Sequence, residues 1–155
     1  TYVGDGNNVA VSLMQIAAKL GANFTIANPA DYDMPAQAIE TVKPIAAASG
    51  TKLAFLRDPH EAVKGAHVIY TDTWTSMGQE EETAKRELVF PPYQVNARLV
   101  AEADPDVIVM HCLPAHRNQE ITDEVADGPH SRLFPEAHNR LHAQKAILQT
   151  LLGEK

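Results

Sequence analysis

At 155 residues the chain is long enough to bury well over half of its unfolded surface as one domain spanning 1–155. The 20 acidic and 13 basic residues leave a net charge of -7 with no basic block, which excludes a nucleic-acid backbone as partner. No apolar run approaches the roughly 20 residues that cross a bilayer, and a single cysteine, Cys112, cannot close an internal disulfide, so no membrane partner and a cytoplasmic location are expected.

The chain has no initiator Met and opens on Tyr2-Val3-Gly4, inside what reads as a first strand, so it reads as a piece of something longer. Gly4-Asp5-Gly6-Asn7-Asn8 leads into a helix whose Val9, Leu13, Ile16 and Leu20 share one face, with Gly21 as C-cap. Phe24–Ala27 is a second strand, and a helix from about Ala36 to Ala48 ends at Ser49-Gly50. Leu53–Leu56 is a third strand, a short helix covers roughly Pro59 to Lys64, and His67–Thr71 is a fourth strand. From Ser76 to Phe90 periodicity is lost, as in a long polar loop of the kind that often serves as a lid. Pro91-Pro92 then opens a helix ending near Ala103, Asp106–Met110 is a fifth strand, and further helices lie near Ile121–Ala126 and from Pro135 to Leu152. Strands alternating with helices predict an α/β fold: a Rossmann-like, doubly wound parallel sheet of about five strands in a three-layer αβα sandwich.

In such a sheet ligands bind beyond the carboxyl ends of the strands, which directs attention to the residues just after strands one, four and five. After strand one, the Gly4–Asn8 turn offers backbone N–H groups and an amide to an anion, although an ordinary turn with Asn8 as N-cap reads equally well. A dinucleotide fingerprint fails there, because Val9 stands at its third glycine and strand two ends at Ala27-Asn28 without an acid. After strand four, Asp72-Thr73-Trp74-Thr75-Ser76-Met77-Gly78 places a carboxylate where it can bind an ammonium or close an Asx-turn. After strand five, His111-Cys112-Leu113-Pro114-Ala115-His116-Arg117 gathers imidazoles, a thiol and a guanidinium, yet two His and one Cys without a spaced fourth ligand make a weak zinc signature, so no metal is expected. Arg140 falls on the flank of the Leu141, Ile147, Leu148, Leu151 stripe. A partly buried arginine there needs an anion or an acidic neighbour.

Together the Gly4–Asn8, Asp72–Gly78 and His111–Arg117 stretches and Asn139-Arg140-Leu141-His142 resemble the ornithine carbamoyltransferases, in order and in spacing, over the whole chain. The resemblance implies the ornithine-binding half of an enzyme that carries carbamoyl from carbamoyl phosphate to the δ-amine of ornithine, giving citrulline and phosphate with no metal or organic cofactor. It implies that Asn8 and the Met77 backbone hold the ornithine α-carboxylate, and that Asp72 and Ser76 hold its α-ammonium. By the same resemblance Cys112 lies near the δ-amine, where it is the candidate acceptor for the amine's proton. The Cys112 and Leu113 carbonyls accept from the carbamoyl amide, and Arg140 polarises the carbamoyl oxygen. Cys112, Arg140 and Asp72 are thus the expected catalytic residues. The Leu113–Pro114 peptide is expected to be cis.

The N-terminal domain that carries the Ser-x-Arg-Thr-Arg phosphate-binding segment has no counterpart in these residues, so the isolated chain is expected to be inactive and the whole enzyme a homotrimer or a multiple of trimers. Asn118 stands where the family usually has glycine, and His138 where it usually has glutamate. The competing readings are an amino-acid-binding or scaffold module without catalysis, and a carbamoyltransferase for another amine. Without that other domain, the leucines of the final helix are expected to face water, with disorder near Leu151–Lys155 or self-association as the consequence.

Overall fold

A computed structural model describes residues 1–75, 78 and 80–153. Five parallel strands, β1 (Tyr2–Val3), β2 (Phe24–Ala27), β3 (Leu53–Leu56), β4 (Val68–Thr71) and β5 (Ile108–His111), form one sheet in the order β3-β2-β1-β4-β5. The expected doubly wound sheet is present. The order reverses between β1 and β4, whose shared register pairs Tyr2 with Tyr70, and the two rings stack with centroids 6.1 Å apart. That reversal opens a crevice at the carboxyl ends of β1 and β4.

Alternate strand residues feed opposite faces, as the pleat requires. Tyr2, Phe24, Ile26 and Tyr70 pack with Ala10, Met14 and Ala18 of α1 (Asn8–Leu20) and with Val42 and Ala46 of α2 (Ala36–Ser49). On the other face Val3, Ile69 and Val109 pack with Ala62 of α3 (Pro59–Ala62), Leu99 and Val100 of α5 (Ala97–Val100), and Val125 of α6 (Asp123–Ala126). Near-continuous apolar strands are what a sheet covered on both faces demands. Gly6 is fixed by proximity, because a Cβ there would lie 2.3 Å from the Met34 backbone nitrogen.

Three expectations are corrected. The stretch read as loop from Ser76 to Phe90 contains a 3-10 turn at Glu80–Glu82 and a helix, α4 (Thr83–Val89), whose buried residue is Arg86. The helix expected from Pro91 to Ala103 is split into a 3-10 turn at Pro91–Tyr93 and α5. Val95 breaks it by pairing with Ile121 in an extended bridge, and Asn96 Oδ1 then caps α5 by accepting from Leu99 N at 3.1 Å. Finally, Asn7 rather than Asn8 caps α1, its Oδ1 accepting from Val9 N and Ala10 N at 2.9 and 3.1 Å.

The last helix, α7 (Leu133–Leu152), begins two residues earlier than expected, with Pro135 in its first turn, where the missing N–H does no harm. Leu133 is buried against the core, but every residue from Ala137 to Gly153 is exposed, Leu151 by 74% and Leu152 by 79%. The leucines face water as expected, on a helix that is continuous to Leu152; Glu154 and Lys155 lie outside the described residues.

Candidate functional site

The switch point brings Asp72 and Asn7 together. Asp72 leaves β4 and is 9% exposed. Its Oδ2 accepts from Asn7 Nδ2 at 3.0 Å, and its Oδ1 accepts from Thr73 N at 2.8 Å and from the Cys112 thiol at 3.1 Å. Among the described residues no cation pairs with this carboxylate. Burying a carboxylate among neutral donors alone is costly, and a cationic ligand relieves that cost.

Cys112 lies just after β5 and is half-buried. Burial first, then its hydrogen bond to Asp72 and the nearby negative charges of Asp72 and Glu136, push its thiol up to about 12. The sulfur therefore holds its proton tightly and donates it to Asp72, an arrangement that does not favour the proton-accepting role expected of it. A native thiol silent in thiolate absorbance up to about pH 10, alongside ordinary ionisation near 8.5 in denaturant, is the expected titration. The shift works against stability as pH rises. The unfolded thiol loses its proton first, so the native chain weakens between the unfolded and native values. Ionisation of the folded thiol near its ordinary value would contradict this arrangement.

The turn after β5 is held from below by a buried pair. Leu113 N–H donates to His111 Nδ1 at 2.9 Å, so that nitrogen is unprotonated and Nε2 carries the hydrogen it directs at Glu120 Oε1, 3.0 Å away. The same Glu120 oxygen accepts from His116 N at 2.6 Å, and both His111 and Glu120 are wholly buried. Leu113–Pro114 is cis, as expected, and Asn118 has a left-handed φ of 66°, a conformation that glycine adopts freely and asparagine tolerates. Arg117 is tied to Asp123 and Asp127 on the outside of the turn.

Above this turn Cys112, Leu113, Pro114, Ala137, Arg140 and Leu141 line an open cleft of about 690 Å³. Arg140 is exposed instead of partly buried, because α7 stands clear of the rest of the chain beyond Glu136. The acidic neighbour one turn earlier, Glu136, is already engaged, accepting from Tyr70 Oη at 2.6 Å and from His111 N at 3.1 Å. Among the described residues Arg140 has no ion pair. Asn8 lies at the exposed start of α1. Ser76 and Met77 lie outside the described residues.

Asp72, His111 and Cys112 offer donor atoms within 4.8 Å of one another. They are poorly set for a metal: both His111 nitrogens are committed, and three donors fall short of a closed zinc site. Sequence reasoning missed Glu136, which reads as an ordinary first-turn acid, and Arg86, whose guanidinium clasps Asp5 Oδ2 at 2.5 Å and the Trp74 carbonyl at 2.7 Å. The only sequence signal for Arg86 is that it sits four residues after Glu82, with which it also pairs.

Residues 1–151 match the family described as "Aspartate/ornithine carbamoyltransferase, Asp/Orn binding domain". The ornithine carbamoyltransferase of Thermococcus kodakarensis is 54% identical over 98% of this chain and 48% of its own length, and that of Bacillus subtilis is 54% identical over 97% and 47%. The solved ornithine carbamoyltransferase of Pyrococcus furiosus superimposes with a TM-score of 0.90 at 53% identity, over 96% of this chain and 47% of that one. The chain spans about half the length of the curated relatives it matches.

Proposed function

The chain belongs to the aspartate/ornithine carbamoyltransferase family as its Asp/Orn binding domain, and we propose that it is the ornithine-binding half of an ornithine carbamoyltransferase acting in the cytoplasm. The observation that carries the choice of ligand is Asp72: a nearly buried carboxylate at the switch point, surrounded by neutral donors, which suits the α-ammonium of an amino acid. Asn7 caps the first free N–H groups of α1 with its own side chain. The α-carboxylate is therefore assigned to the Asn8 amide and, by resemblance, to the Met77 backbone, with Ser76 beside the ammonium.

The reaction joins two substrates across the cleft. The neutral δ-nitrogen of ornithine attacks the carbamoyl carbon, the bond from that carbon to the phosphate oxygen breaks with its electron pair leaving on phosphate, and the proton the nitrogen gives up goes to that departing phosphate. Arg140 lines the cleft, exposed and without an ion pair among the described residues, and is assigned to the carbamoyl oxygen as it gathers charge, with the Leu113 and Cys112 carbonyls orienting the carbamoyl amide. Cys112 keeps its proton and positions Asp72. The phosphate site belongs to a further, N-terminal domain in the same proposal, with the assembled enzyme a trimer or multiple of trimers.

Asp72→Asn in the full-length enzyme tests the assignment. It should lower kcat/KM for ornithine by about 1.5–3 kcal/mol of transition-state stabilisation while leaving carbamoyl phosphate binding unchanged. Unaltered ornithine kinetics in a folded Asp72→Asn enzyme would reduce Asp72 to a turn-closing residue.

A further inference from the structure

On α7, outside the cleft, His138 and His142 stand one turn apart and share a hydrogen bond between their Nε2 atoms, 3.1 Å long. Their rings cross at 71° with centroids 4.9 Å apart, so they meet edge to face instead of stacking. Both side chains are exposed, and no acidic group pairs with either among the described residues. None of the roles assigned to the cleft uses them.

We propose that His138 and His142 form a chelating site for one divalent transition-metal ion, bound through the two Nε2 atoms. Two metal–nitrogen bonds of about 2.0–2.1 Å, meeting at roughly 90–109°, place their nitrogens about 2.8–3.4 Å apart. The observed 3.1 Å already falls in that interval. Two histidines four residues apart on one helix face are the spacing by which helices present a pair of imidazoles to zinc. Neutral imidazole favours copper, nickel and zinc over magnesium or calcium, and water completes the coordination on the open side. With both rings in the Nδ1–H form, neither Nε2 carries a proton and both are free to ligate the ion in place of their mutual hydrogen bond. The ion then bridges successive turns of a helix whose residues from Ala137 to Gly153 are all exposed, so binding and helicity are linked.

Nickel(II) is the probe, because it avoids the redox chemistry of copper at Cys112. Calorimetric titration of the 155-residue chain should show one ion per chain, and far-ultraviolet circular dichroism should show helical signal rising with it. His138→Ala and His142→Ala should each weaken the affinity by roughly tenfold or more, since losing one arm of a chelate loses its effective concentration. Cys112→Ser should leave the affinity unchanged. The double variant His142→Ala with Ala143→His keeps the number of histidines but moves the second one off the face, and it should bind as weakly as the single variants. Wild-type affinity in either alanine variant, or in the shifted double variant, would overturn the proposal.

Discussion

Replacing Arg86 with methionine is expected to destabilise the fold by about 3–5 kcal/mol, read as lost unfolding free energy in urea. Methionine fills most of the space of the arginine stem, so the loss isolates the guanidinium, whose carbon also lies 4.8 Å from the centre of the Tyr32 ring. That group joins the exits of the two central strands: Asp5 comes after β1, Trp74 comes after β4, and Arg86 donates to both from α4. Without it Asp5, only 8% exposed, keeps a buried charge with no side-chain donor among the described residues. Burial is the largest influence on Asp5 and raises its carboxyl, against the lowering effect of Arg86. Removing Arg86 therefore raises that carboxyl further. A carboxyl raised in the native state keeps its proton after the unfolded chain has released one, so stability falls as pH climbs from the unfolded value through the native one. The deficit of the Arg86→Met chain should accordingly be full at neutral pH and shrink in acid, as Asp5 becomes neutral. A loss that is small and independent of pH would show that the pair is held loosely at the surface.

The contrast between α4 and the strands explains what sequence can reveal. All five strands are runs of apolar residues, and burial on both faces makes such runs conspicuous. The helix α4 is held by a charged residue, so no apolar period marks it. Val95 cannot be separated in sequence from a helix starting at Pro91, because its reason for being extended is Ile121, on a distant stretch of chain. In the site, Asp72 and Cys112 are visible as polar residues at strand ends. Their hydrogen bond, across 40 residues of sequence, is not. Asn7 and Asn8 are chemically identical, and only backbone geometry decides which of them caps α1. Arg140 reads as partly buried because an apolar stripe implies a surface to cover it, and the described residues supply none for α7 beyond its first turn.

Truncating Glu120 to alanine is expected to cost about 3–5 kcal/mol as well, and to disturb the cleft more directly than the loss of Arg86. Glu120 is wholly buried, and one of its oxygens accepts from both His111 Nε2 and His116 N. Alanine leaves the buried His111 Nε2–H and the partly buried His116 N–H without an acceptor and opens a void beneath the turn. Glu120→Gln separates the two effects. The glutamine carbonyl can accept both bonds, but its amide then occupies the place of Oε2, which has no hydrogen-bond partner in the native arrangement. The glutamine chain should therefore lie between wild type and alanine, short of wild type by about 1–3 kcal/mol for that unsatisfied amide. The His111 tautomer supplies a second reading. With Glu120 present, nitrogen NMR should find the proton of His111 on Nε2, because Leu113 N–H occupies Nδ1. In the alanine chain the Nε2 proton loses its acceptor, the Leu113 contact slackens, and the Cys112 and Leu113 backbone that lines the cleft loses its aim. If Glu120→Ala unfolds within about 1 kcal/mol of wild type and His111 keeps its tautomer, then packing alone holds the turn and the buried pair is incidental to the site.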